Sequence, residues 1–174
     1  MVRIYVVILT VLATTAFAQQ PKPSPRLGDL RAFTGTWRCD GIAFASPWGI
    51  EHPTKATIRV SWVLNGFWLY AEYAEQKTAQ NPNPAAGRVY WGHDDQKKKL
   101  SGYAMNNFGG SVVIESDGWK GNTIVWNGTM SLGGMDIPTR DTFIQKNARE
   151  VAHTTEAQMN GQWVQLSSET CRKK

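Results

Sequence analysis

Asn65-Gly66 follows the run IRVSWVL, in which apolar and polar side chains alternate, and precedes a second β-prone run, FWLYAEY. Alternation with period two sends successive side chains to opposite faces of a strand. Asn-Gly accepts the positive φ angles that a tight hairpin requires. The pattern recurs around Asp117-Gly118 and Asn160-Gly161, with looser turns at 93–97 and 106–110. It predicts ten strands, near 35–45, 54–64, 67–76, 87–93, 98–105, 111–116, 123–130, 137–146, 149–159 and 162–171. Residues 77–86, KTAQNPNPAA, form the one long loop, because two Asn-Pro steps cannot sit inside a sheet. Helical spacing is confined to LGDLRAF, with apolar residues at 27, 30 and 33. Short strands with tight turns and almost no helix describe an all-β protein, either an up-and-down antiparallel barrel or a sandwich.

The two cysteines separate these architectures. Cys39 falls on the first predicted strand and Cys171 at the end of the last. A closed meander removes its sheet edges by pairing its first and last strands, so a Cys39–Cys171 bridge would lock the seam of a barrel. In an open sandwich the same placement would be accidental. The alternative to a bridge is two buried thiols.

The N-terminal segment bears on the choice. MVRIYVVILTVLATTAFAQQ has a basic residue at Arg3, an apolar run from Ile4 to about Ala13, and the small-x-small site Ala16-Phe17-Ala18. That is the layout of a secretory signal peptide, and the run falls well short of the roughly 20 apolar residues a membrane span needs. The expected organisation is a signal peptide at 1–18, a Pro-rich arm at 19–26 and a barrel domain at 27–174, with a periplasmic or extracellular location. An even cysteine count in an exported chain favours a disulfide.

A net charge of +5 invites a nucleic-acid reading, but the excess sits in the tails. Between Leu27 and Cys171, 13 Lys/Arg face 14 Asp/Glu. A nucleic-acid reader needs a basic face with interleaved aromatics, which this body lacks. No later segment is long and apolar enough to span a bilayer as a helix.

LRAFTGTWRCDG resembles the first strand of calycin-type (lipocalin and fatty-acid-binding-like) barrels, where Gly-x-Trp follows a short N-terminal helix. FTGTW, SWVLNGFWLYAEY, GRVYWGHDDQKKKLSGY, RDTF and NGQWVQLSSETC together resemble a family of exported bacterial barrel proteins of unknown function. The resemblance implies a small ligand-holding barrel and carries no reaction with it. A related group, the nitrobindin-like haem barrels, holds iron through a histidine on the last strand. Here GQWVQLSSETC has none, and the nearest is His153 one strand earlier, so no haem or other cofactor is expected.

Candidate lumen residues follow from strand parity. Cys39 shares a face with Trp37; without a bulge, Cys171 shares one with Trp163, Gln165, Ser167 and Glu169, and a bulge or register shift would turn those groups outward. On the preceding strand Val151, His153, Thr155, Ala157 and Met159 form the more apolar face, which directs His153 inward. Trp62 lies with Ile58, Val60 and Leu64, and Trp126 with Ile124 and Met130, as core filling or as pocket lining. Arg140 is the one arginine kept as a possible carboxylate clamp, with Asp141 on the opposite face. His52 and His93 read as loop and turn residues. No zinc spacing links the histidines, and Gly-x-Ser-x-Gly, Walker-type and His-Glu-x-x-His motifs are missing from the sequence.

The expected function is therefore binding of a small apolar or amphipathic molecule in an aromatic lumen, without catalysis. One rival is an enzyme using His153 with Glu169 or Tyr73 as an acid–base group. Another is a protein-interaction barrel with Trp48 or Trp68 in an outer patch.

Overall fold

The computed structural model describes residues 20–174; the expected signal peptide lies outside the described residues. After an exposed Pro-rich lead-in, Pro25–Phe33 forms a 3-10 helix that buries Leu27, Leu30 and Phe33. Three-residue spacing places those side chains on one side of a helix with three residues per turn, so the apolar spacing read from the sequence suits this helix.

Eleven strands follow: β1 Gly35–Ala43, β2 His52–Val63, β3 Trp68–Glu75, β4 Ala86–Asp94, β5 Lys99–Asn106, β6 Ser111–Ser116, β7 Trp119–Lys120, β8 Thr123–Leu132, β9 Met135–Asn147, β10 Glu150–Met159 and β11 Gln162–Lys173. Sequential strands other than β6 and β7 pair antiparallel, β1 pairs with β11, and β6 pairs with β8 from Ser111↔Ser131 to Glu115↔Asn127. The result is a closed ten-stranded meander, with β7 as a two-residue extra strand lying on β8. Ten of the eleven ranges match the strands expected from sequence to within two or three residues.

The turns show where local chemistry sufficed. Asn160 and Gly161 have φ of 50° and 79°, and join β10 to β11 as a two-residue hairpin loop. Gly133 and Gly134, at 58° and 79°, do the same between β8 and β9. Asp117-Gly118 differs from expectation: instead of reversing the chain into a neighbouring strand, it leads out to β7, and the reversal comes at Gly121.

Cys39 and Cys171 lie directly opposite each other on β1 and β11 and form a disulfide with Cα atoms 3.9 Å apart. Both are buried, at 1% and 4% exposure. With its ends 132 positions apart in sequence, the bridge is worth about 5 kcal/mol in the chain-entropy model.

One end of the barrel is plugged. Phe33 at the end of the helix stacks on Trp91 and Trp119 at centroid distances of 5.8 and 5.5 Å, and meets Phe143 edge-on at 5.3 Å. The helix also supplies carbonyls to two indoles: Trp37 Nε1 donates to Phe33 O, and Trp119 Nε1 to Asp29 O, both at 2.7 Å. Trp37 and Trp119 thus fill the interior with their N–H groups bonded, whereas Trp91 Nε1 on the far side of Phe33 meets no acceptor.

Candidate functional site

Beyond the Trp91–Trp126 pair, whose rings lie 5.9 Å apart, the interior is not filled. A cavity of about 740 Å³ runs from these rings to the end formed by loops 44–51, 76–85 and 107–110. Trp91, Ile114, Trp126, Met130 and Phe143 supply its apolar wall. Trp48, Ile50 and Phe108 stand at its rim with 39%, 74% and 56% exposure. The volume falls within the range of small-molecule sites.

Beside the apolar wall an arc of polar side chains from β9, β10, β11, β2 and β3 lines the cavity. On β10, His153 stacks flat on Phe143 of β9, with centroids 4.2 Å apart and planes 8° from parallel. Its Nε2 donates to Asp141 Oδ1 at 3.0 Å, and the same oxygen accepts from Thr155 Oγ1 at 2.7 Å. On the other side, His153 Nδ1 lies 3.6 Å from Glu169 Oε2, an ion pair rather than a hydrogen bond. Glu169 Oε1 accepts from Thr54 Oγ1 on β2 at 3.2 Å and from Tyr73 OH on β3 at 3.1 Å.

A carboxylate on β11 reaches β3 because β1 offers no side chain in between. Gly41 lies opposite both Glu169 and Thr54, and a Cβ there would sit 2.8 Å from Glu169 Cγ and closer still to the Ser168 carbonyl. The missing methyl is the slot through which Glu169 crosses.

Burial and charge oppose each other at these groups. Burial disfavours the His153 imidazolium, but Asp141 and Glu169 outweigh it and raise its pKa to about 9. Burial likewise disfavours the Glu169 carboxylate, yet the His153 cation and the Tyr73 and Thr54 hydroxyls hold its pKa below the usual value. Tyr73 is pushed up, first by burial and then by the charges of Glu169 and Glu75. At neutral pH the cluster therefore holds a cation between two carboxylates, beside a phenol that keeps its proton.

A second histidine–carboxylate pair sits nearer the rim. Glu75 Oε2 accepts from the Ala85 amide at 2.8 Å, while Oε1 lies 3.5 Å from His52 Nε2 without a hydrogen bond. His52 Nδ1 donates to the Ile50 carbonyl at 2.8 Å.

Of the residues singled out from sequence, Tyr73, Trp126, His153 and Glu169 line this cavity together. Trp37 is buried at the plugged end under Lys173, and Trp62 packs half-buried against the same core; neither lines the cavity. Arg140 and Trp163 lie on the outer wall. Arg140 grips both oxygens of Glu156 at 2.8 and 2.9 Å, with its guanidinium 4.5 Å above the Trp163 ring.

The reason for Trp163 is a β-bulge: Thr155 pairs with Ser167 but Glu156 with Gln165, leaving Leu166 unpaired. The extra residue keeps Ser167, Glu169 and Cys171 on the inner face and turns Trp163 and Gln165 outward. Trp68 covers Gly92, where a Cβ would meet its ring at 2.7 Å, so it is not a free patch; Trp48 belongs to the rim.

Three contributors were not foreseen. Asp141 shares its face with Phe143, an i, i+2 signal legible in RDTF. His52 opens β2 rather than lying in a loop, and Glu75 ends β3. Cys39, Cys171 and Glu169 come close enough to resemble a metal-ligand set, but the sulfurs are bonded to each other and offer no thiolate.

No curated protein matches this chain. Among solved structures, the crystal structure of Rv2717c from M. tuberculosis superposes with a TM-score of 0.65 at 11% identity, covering 88% of this chain and 99% of that one. Identity that low speaks for a shared fold alone. Over residues 22–173 the sequence matches the family described as protein of unknown function DUF1579, and the chain belongs to that family.

Proposed function

We propose that this protein is an exported, non-enzymatic barrel that binds a small, partly apolar molecule in its aromatic-lined lumen, in the manner of calycins. One observation carries the reading. Among the described residues, five buried side-chain atoms lack a hydrogen-bond partner, and four of them, Glu75 Oε1, Trp91 Nε1, Trp126 Nε1 and His153 Nδ1, belong to residues lining the same cavity. An unsatisfied buried polar group costs about 1–3 kcal/mol, so such groups seldom gather without something to meet them. His153 Nδ1 already faces Glu169 at 3.6 Å, and a ligand with an apolar body and a few hydrogen-bonding atoms would meet the other three here. Export is supported by the leader-like sequence and is compatible with the disulfide.

Acid–base catalysis has one observation in its favour, the continuous His153–Glu169–Tyr73 contact beside the cavity. The protonation pattern argues against His153 as its general base. A histidine held as imidazolium up to about pH 9, with a carboxylate at each ring nitrogen, offers no base near neutrality.

The test is native mass spectrometry of the protein purified from its own host, with tryptophan emission titrated against lipid, haem and aromatic-metabolite panels. A copurifying small molecule, or a saturable change abolished by Trp126→Phe, is the expected result. Unliganded protein with no response to any panel member would overturn the reading.

A further inference from the structure

We propose that the lumen selects a cationic amphiphile, a molecule carrying a primary or secondary ammonium on an apolar body, and that Glu75 and His52 receive the ammonium. The proposal rests on the lumen-binding reading and specifies the charge of its ligand.

The first support is the charge lining the cavity. Glu75, Asp141 and Glu169 all border it, and no lysine does so among the described residues. The single arginine at the wall, Arg88, has its guanidinium on Glu72. Asp141 and Glu169 share the His153 cation; Asp141 Oδ1 also accepts from Thr155, and Glu169 Oε1 from Thr54 and Tyr73. Glu75 is left with one oxygen that accepts nothing, on a side chain only 4% exposed.

The second support is the orientation of His52. Its Nδ1 faces a carbonyl and must carry a hydrogen there, so in the neutral ring Nε2 presents a lone pair. That lone pair faces Glu75 Oε1 at 3.5 Å, acceptor against acceptor. One N–H-rich cation placed beside the two atoms can donate to both at ordinary hydrogen-bond lengths. A carboxylate ligand would add a further anion to the same spot, and an alcohol has only one hydrogen to give. From the rim the apolar body would extend inward along Met130 and Ile114 toward Trp91 and Trp126.

The experiment compares 4-phenylbutylamine, 4-phenylbutan-1-ol and 4-phenylbutanoate by isothermal titration on the full folded protein at pH 7. The amine is expected to bind at least ten-fold more tightly than the alcohol, with the acid weakest. Glu75→Gln keeps a carbonyl oxygen for the Ala85 amide and should cost the amine about ten-fold while leaving the alcohol unchanged. His52→Leu, which leaves Glu75 intact, should weaken the amine several-fold and serves if the first variant does not fold. Equal binding of amine and alcohol, a preference for the acid, or an amine preference that survives both substitutions overturns the cationic assignment and leaves the lumen standing. If none of the three binds and a neutral lipid or aromatic probe does, the assignment likewise fails. If nothing binds at all, the lumen reading falls with it.

Discussion

At the plugged end of the barrel, Phe33, Trp119 and Trp37 pack beneath a 3-10 helix whose backbone carbonyls take both indole hydrogens. At the open end, the indole hydrogens of Trp91 and Trp126 meet no acceptor, and carboxylates crowd a wall that could have been apolar. The same strands build both ends, so the contrast lies in what each strand places at each level. The plugged end is a completed core, in which ring packing and hydrogen bonding agree. The open end departs from those rules in one connected region, as expected where a sequence has been kept for something other than stability.

Four substitutions would break or sharpen that contrast. The largest effect belongs to the seam shared by both ends. Replacing Cys39 and Cys171 by alanine should lower the unfolding free energy by about 5 kcal/mol in a urea titration. Next comes Phe33→Ala, which empties the plug and should cost about 3–5 kcal/mol in the same titration.

The third substitution, His153→Gln, acts at the open end and depends on pH. The His153 pKa is raised from 6.5 to about 9 on folding, so its stabilisation is fully present below pH 6.5 and lost as pH rises through about 9. The Glu169 pKa is depressed from 4.5, so its share is present above that pH and lost as pH falls through the lowered value. The wild-type advantage over the variant should therefore be greatest between about pH 4.5 and 6.5, on the order of 2–3 kcal/mol, and shrink by pH 9. Urea midpoints measured across that range would check it; an advantage that grows toward pH 9 would contradict the assigned charges. Arg140→Ala should have the smallest effect, under about 1 kcal/mol, because the ion pair with Glu156 sits on a solvated outer wall.

The sequence revealed the barrel more fully than the site. Alternation and turn residues set strand limits locally, and cysteines on the terminal strands tied those strands together. Asp141 was also within reach of parity, two residues before an inward phenylalanine. Trp163 was not, since a single unpaired residue at Leu166 reverses the facing of everything before it on β11 and leaves no mark in composition. His52 and Glu75 were hidden for a different reason. They belong to strand ends, where burial depends on how neighbouring loops fold over them. Gly41 reads as an ordinary glycine until the side chain crossing it is known.

The burial of the sulfur staple orders events in the life of the chain. Cys171 belongs to the last strand, and both sulfurs face the interior, so an oxidant can reach them only while β1 and β11 are still apart. Oxidation must then precede or accompany the final zipping of the wall, and a polypeptide that shuts while reduced would keep its thiols out of reach of any oxidoreductase. The finished bridge enjoys the same seclusion from reductants, which makes it a permanent fastening rather than a sensor.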